Sequence, residues 1–227
     1  MLLREFLLYR EQILSMMSPD TRHLEAWESD YRTRGRLWGG NPASLPTLPG
    51  GSRVLELGCG NGKNLQGMIE REWDIIAMDC SLTALQLCQP VVQEAARVYL
   101  VAGNAVFLPF RGATIDAVFS LHVAGHLPQP GRSHVASEIL RVLKPGGQVL
   151  FRDFGVDDFR YGTGEMTEPG TFRRGTGSFT HYFTGDEVAC LFKDFNNISI
   201  DQHRWSMRIK GQDYQRCEIT GVFEKSG

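Results

Sequence analysis

The stretch RVLELGCGNGKN, residues 53–64, sets three glycines, Gly58, Gly60 and Gly62, directly after an apolar run of Val54, Leu55 and Leu57. Glycines at that spacing allow a tight turn and let a ligand come close to the backbone. A helix that starts after them offers unpaired N–H groups to a polar ligand. Asp79 stands seventeen residues beyond Gly62, at the end of a second apolar run, WDIIAMD. A carboxylate there can accept both hydroxyls of a ribose. Further on, His122 and His126 follow another apolar run, TIDAVFSLH. One could act as a general base or as a stacking surface for a base, or both could be structural. Arg152 and Asp153 end the run QVLFRDF, and Arg173, Arg174, His181 and Tyr182 follow in a Gly-rich stretch. Such arginines hold phosphates or belong to a solvated loop.

These residues need a scaffold. RVLELG, WDIIAMD, VYLVAGN, TIDAVFSLH and QVLFRDF read as strands. Helical patterns over 62–71, 81–96 and 131–143 separate them, the second interrupted by Pro90 and the third, with Arg132, Glu138 and Arg141, an ordinary amphipathic helix closed by LKPGG. Alternating strands and helices imply a parallel sheet covered on both faces. Asp79 and Asp153 then fall at carboxyl ends of strands, where open α/β sheets bind ligands. Residues 2–17 and about 21–33 have helical periodicity, and RGRLWGGNPASLPTLPGG is a loop. After 154 the pattern changes. Residues 155–183 show no clear period, and long segments of that kind serve as lids or binding loops. A helix at 185–193 and an antiparallel pair at 197–206 and 214–224 complete the chain. Arg204, Arg208, Lys210 and Arg216 on that pair read as sheet-edge charges that discourage aggregation, or as an extended basic face.

The 227 residues suffice for one large α/β domain or two small ones, and a net charge of −2 opposes non-specific nucleic-acid binding by the whole molecule without excluding a local basic patch. Five cysteines without metal-ligand spacing suit reduced thiols in the cytoplasm. The apolar start, interrupted by Arg4, Glu5, Arg10 and Glu11, does not read as a membrane span or a signal peptide.

The glycine turn alone accommodates NAD, FAD or S-adenosylmethionine. The order Glu56-x-Gly58-x-Gly60-x-Gly62 departs from the dinucleotide fingerprint GxGxxG and resembles motif I of class I S-adenosylmethionine-dependent methyltransferases. GNAVFLPF, IDAVFSLHVAGHL and ILRVLKPGGQVLFRD resemble that family's later stations, with Asn104 where an Asp is usual. LFRDFG, RRGTGSFTHYFT and AWESDYRTRGRLW resemble the enzymes that make 3-methylcytidine in tRNA. The family's helical RNA-binding extension is short or missing here, and the loop with His122 and His126 differs.

The resemblance implies a Rossmann-like fold with a mostly parallel seven-stranded sheet, an antiparallel C-terminal strand and an N-terminal helical cap. It divides the chain into a cap and lead-in loop (1–50) and a methyltransferase domain (51–227) with a substrate loop at about 155–183. It implies S-adenosylmethionine, leaving as S-adenosylhomocysteine, beside Glu56, Gly58, Cys59, Gly60 and Gly62. Asp79 would accept the ribose hydroxyls and Asn104 and Ala105 would meet the adenine, with Cys80, Ser81 and Leu121 also beside the cofactor. Trp27, Tyr31 and Trp38 would close over the sulfonium, or staple the cap to the sheet. The acceptor would be tRNA or another RNA, with a small molecule as the alternative. Asp153, His122 and His126 would be catalytic, and Arg152, Arg173, Arg174, His181 and Tyr182 would bind the acceptor. If that acceptor is cytidine N3, a carboxylate such as Asp153 would stabilise the cationic product.

Overall fold

The computed structural model describes residues 22–40, 43–173 and 177–227. The expected helix at 2–17 and Arg174 lie outside them. Helix α1 (Arg22–Arg34) leads into β1 (Arg53–Leu57), α2 (Leu65–Ile69), β2 (Asp74–Asp79), α3 (Leu82–Val92), β3 (Val98–Ala102) and β4 (Ile115–Leu121). A 3₁₀ turn at Ala124–His126 precedes α4 (Gln129–Val142) and β5 (Leu143–Phe154). Three short strands follow, β6 (Glu165–Glu168), β7 (Thr171–Arg173) and β8 (Phe179–His181), then α5 (Gly185–Leu191), β9 (Asn196–Ile209) and β10 (Gln212–Glu224).

The main sheet has seven strands in the order β3-β2-β1-β4-β5-β10-β9. Strands β1 to β5 pair in parallel, and β10 is antiparallel to both its neighbours. This is the expected architecture. β1 and β4 are buried apart from Arg53 and Asp116 at their starts, because both sheet faces are covered. Val54 and Phe119 join a core under α2 and α3 with Leu65, Met68, Trp73 and Leu85. Leu55, Leu57 and Val118 face the opposite core, with Val135 and Ile139 of α4 and Val188 of α5. Every ligand-facing strand end of the parallel part therefore opens on one edge of the sheet.

Two expectations need correction. Glu165–Glu168, Thr171–Arg173 and Phe179–His181 form a small antiparallel sheet, β6-β7-β8, within the stretch expected to be an irregular loop. Strands of three or four residues carry no readable period, and their cohesion is tertiary. Arg132, expected on an ordinary amphipathic helix, supplies part of it. It is buried, and its guanidinium donates to Leu127 O at 2.9 Å and to Glu168 Oε2 at 3.1 Å. The second correction concerns length. β9 and β10 outrun β5, since β10 pairs with β5 only from Glu218 onward, while 212–217 pair with 204–209 and take on their other edge only Gly155 N at Cys217 O and Phe159 N at Gln215 O. A two-stranded ribbon thus projects beyond the carboxyl end of β5.

Candidate active site

A cleft of about 330 Å³ opens at the carboxyl ends of β1, β2, β4 and β5 and runs under α1. Its first half is built by the glycine turn. Gly58 and Gly60 have φ of 63° and 55°, left-handed values that β-carbons resist. A Cβ at Gly58 would meet Val123 Cγ2 at 2.6 Å, and one at Gly60 would meet Tyr31 Oη at 2.6 Å. Asp79 closes the turn from β2, accepting from Gly60 N and Ser81 N, both at 2.9 Å. Burial raises its carboxyl against the donors of Ser81 and Gly60. Asn64, on the cleft wall, donates to Glu56 Oε1 at 2.9 Å, while Glu56 Oε2 is buried without a partner among the described residues. Burial pushes Glu56 up to about 7.

Helix α1 lies over this half. Trp27, Tyr31 and Trp38 line the cleft, and Trp38 Nε1 donates to Tyr31 Oη at 2.9 Å. The helix is tied down by Glu28, which accepts from Ser81 Oγ (2.7 Å), Thr83 Oγ1 (2.8 Å) and Thr83 N (3.2 Å) at the start of α3. A carboxylate suits a helix N-terminus, where N–H groups are unpaired. These hydroxyl and amide bonds outweigh desolvation and lower its carboxyl. Glu28 was not legible as a site residue, because nothing in its spacing points to residues more than fifty positions away.

The second half is polar. His122 sits at the end of β4 with φ of 58°, a left-handed value sparsely populated by non-glycine residues. Its Nε2 lies 3.2 Å from Glu218 Oε1 and its Nδ1 3.7 Å from Asp153 Oδ1, and its ring packs on Phe154 with centroids 4.5 Å apart. Burial opposes a charge on His122, but the carboxylates of Asp153 and Glu218 prevail and raise it to about 9. The two carboxylates thus favour the imidazolium at neutral pH. His126 Nδ1 lies 2.6 Å from Phe179 O. A carbonyl only accepts, so Nδ1 carries the proton and a neutral His126 keeps its lone pair on Nε2. Trp27 meets the His126 ring edge-on at 4.7 Å.

Most of the expected site residues meet here. Gly58, Cys59, Asp79, Cys80, Asn104, Ala105, Leu121 and Arg152 line the cleft beside the aromatic cap and both histidines. Glu56, Gly60, Gly62 and Ser81 stand behind this wall. Asn104 Oδ1 accepts from Val106 N at 3.0 Å. Asp153, expected to face the acceptor, is wholly buried beneath His122, accepting from Gly125 N at 2.8 Å. It is a positioning residue, and Glu218, which sequence reasoning missed, is the carboxylate on the cleft wall. His181 and Tyr182 are also corrections. His181 spans Thr171 Oγ1 (2.7 Å) and Glu187 Oε1 (2.8 Å), joining the small sheet to α5. Tyr182 packs among Phe154, Tyr161 and Phe172. Arg173 lies over Phe179, outside the cleft wall.

Residues 54–147 match the family described as a methyltransferase domain. The chain carries a class I methyltransferase domain. It is similar to the tRNA N(3)-methylcytidine methyltransferase trm140 of Schizosaccharomyces pombe, with 27% identity over 78% of this chain and 62% of that protein. It is also similar to the tRNA (carboxymethyluridine(34)-5-O)-methyltransferase of Arabidopsis thaliana, with 38% identity over 52% of this chain and 28% of that protein. The chain thus spans less than two thirds of either relative. Among solved structures, a SAM-dependent methyltransferase from Methanosarcina mazei superposes with a TM-score of 0.67 and 22% identity, over 79% of this chain and 94% of that one.

The residues of this methyltransferase domain fit S-adenosylmethionine. The missing Cβ atoms of Gly58 and Gly60 let Val123 and Tyr31 close against the turn, which leaves Gly58 and Cys59 on the cleft wall beside the Asp79 carboxylate. The unsatisfied Glu56 Oε2 suits a donor-rich cationic group. The titrating groups give a pH signature. His122 is raised from an unfolded value of about 6.5 to about 9, so its stabilisation is complete below the first value and is lost as pH rises through the second. Glu56, raised to about 7, acts with the same sign, because burial favours its neutral form; that contribution is lost as pH rises through 7. The melting temperature should therefore fall from about pH 4.5, the ordinary value of Glu56, to about pH 9, the raised value of His122. In His122→Asn, whose side chain tolerates the left-handed backbone, the upper part of that fall should vanish. Scanning calorimetry across this range checks both, and a wild-type Tm flat from pH 7 to 10 would refute the imidazolium.

Proposed function

We propose that this chain is an S-adenosylmethionine-dependent methyltransferase that modifies RNA in the cytoplasm, with a tRNA base as acceptor and cytidine N3 as the atom methylated. The observation that carries the RNA reading is the β9–β10 ribbon. Residues 203–217 hold Arg204, Arg208, Lys210 and Arg216; Arg204 pairs with Asp157, Arg208 with Asp213, and Arg216 with Asp158, which it shares with Arg160, so the ribbon and residues 157–160 together carry five cations against three acids in a chain of net charge −2. The ribbon projects from the edge of the sheet at which the cleft opens. A local basic arm beside a reactive cleft suits a polyanion. The similarity to two tRNA methyltransferases points the same way.

The cofactor supplies a methyl group already activated on a sulfonium. The protein's work is then to position both partners and exclude water. Gly58 and Cys59 on the cleft wall would hold the cofactor close to the backbone, Asp79 would accept its ribose hydroxyls, and the α1 aromatics cover the cleft. A pyrimidine ring nitrogen such as cytidine N3 carries its own lone pair, so no general base is needed. His122, with Nε2 on Glu218 and Nδ1 turned to the buried Asp153, has both N–H groups committed and serves to fix the Glu218 carboxylate on the cleft wall. Glu218 on the same wall offsets positive charge as the product becomes cationic. Asp153 holds His122 and Gly125 in place from below.

The test is to incubate the protein with methyl-labelled S-adenosylmethionine and total extract of its source organism, then to treat portions with ribonuclease or protease. Label in ribonuclease-sensitive polymer, recovered as 3-methylcytidine after nucleoside digestion, is the expected result. Label confined to small molecules would sink the RNA reading, and another methylated nucleoside would move the acceptor atom.

A further inference from the structure

Beside the cleft, one buried carboxylate holds two arginines. The Asp158 side chain is fully buried. Its Oδ1 accepts from Arg160 Nε at 2.7 Å and Arg160 N at 3.1 Å. Its Oδ2 accepts from Arg216 Nε at 2.7 Å, Arg160 Nη2 at 3.2 Å and Cys217 N at 3.3 Å. Both guanidinium groups also lie against the ring of Phe154, with Cζ atoms 4.0 Å and 5.3 Å from its centroid. Two cations thus share one anion. Neutralising Asp158 needs only one of them, and the second positive charge is left over in a half-buried setting, with the two side chains 22% and 13% exposed.

The pair is also aimed. Among the described residues, Arg160 Nη1 and Arg216 Nη2 donate to no acceptor, while the other edges of both groups are fixed. Arg216 stands two positions before Glu218 on β10, hence on the same face of the strand, and Glu218 lines the cleft. Phe154, on which both arginines stack, packs on His122 with its other contacts. The two guanidinium groups therefore sit one ring away from the polar end of the cleft, at the root of the basic ribbon. We propose that Arg160 and Arg216 form a phosphate clamp that takes the phosphodiester next to the acceptor nucleotide. A planar guanidinium, fixed on one edge and free on the other, presents its donors in the geometry that phosphate oxygens match. The ring beneath lowers the water each cation must shed. The clamp rests on the RNA reading and adds to it where the acceptor's backbone is held.

Arg160→Lys and Arg216→Lys test it, because lysine keeps a cation beside Asp158 and loses the fork. Each variant should keep its affinity for S-adenosylmethionine, and should bind unfractionated tRNA about tenfold more weakly at 0.1 M salt. Arg160→Ala, where it folds, should reduce the slope of log K against log salt by about one, as for one lost phosphate contact. As competitors in the methylation assay, cytidine 5′-monophosphate should surpass cytidine with the wild type, and the two should be equal with Arg216→Lys. Wild-type and lysine variants that bind tRNA equally, with equal salt slopes, would overturn the clamp while leaving the RNA reading intact. A wild type that neither binds nor methylates tRNA would remove the RNA reading, and the clamp with it.

Discussion

Asp79→Ala is expected to weaken S-adenosylmethionine binding by at least about tenfold, the size of a lost charge-assisted hydrogen-bond pair. Two losses combine. The carboxylate is the anion on the cleft wall that a ribose would meet, and it also ties the glycine turn to α3 through Gly60 N and Ser81 N. Truncation leaves both amides without their acceptor, at about 1–3 kcal/mol for each group left buried and unsatisfied. Asp79→Asn separates the effects, because the amide oxygen can still accept from one of these amides while the negative charge is gone. Calorimetric titration measures all three proteins. Equal affinity in Asp79→Ala and wild type would overturn the placing of the ribose.

Asp153→Ala should destabilise the fold more than any other single change in the polar half of the cleft. Burial works against the Asp153 charge, but the His122 imidazolium and the Gly125 amide outweigh it, and its carboxyl is held below the usual range. Removing one partner of a buried ion pair leaves the other charge exposed to the same low dielectric, at about 3–5 kcal/mol. Here Glu218 still faces His122, so the lower end of that range applies. Glu218→Gln should cost much less stability, because Glu218 is partly solvated, yet it should lower methyl transfer because it lies on the cleft wall. Urea denaturation with single-turnover kinetics distinguishes these roles. An Asp153→Ala variant within about 1 kcal/mol of wild type would show that His122 does not depend on it.

The parallel sheet could be read from the sequence because each strand is a short apolar run bounded by turn residues, and because both of its faces are buried. The glycine turn and Asp79 lie within thirty residues of each other, and the contact between them follows from one βαβ unit. Contacts made across the antiparallel strand were not legible. Glu218 reaches His122 only because β10 folds back beside β5, and no local pattern marks that residue. The same holds for Arg132. Its position on α4 suggests a solvent-facing charge, and only the docking of β6 and β7 turns it into a buried anchor. Asp153 was read from its place at a strand end, which gave the correct neighbourhood but not the depth. His181 shows the reverse case, a histidine in a motif-like stretch whose two ring nitrogens are both used for packing one element on another.

The placement of the four tryptophans makes the protein its own optical instrument. Trp27 and Trp38 face the cleft with ring centroids 6.4 Å apart, and Trp27 also touches the His126 ring, which quenches indole emission when it becomes charged. Trp205 lies on the ribbon with the Arg216 guanidinium 5.3 Å from its ring. Trp73 is sealed in the core against Phe119 and senses neither place. Emission from single-tryptophan versions would report cofactor, acceptor and unfolding as three separate signals, without a label.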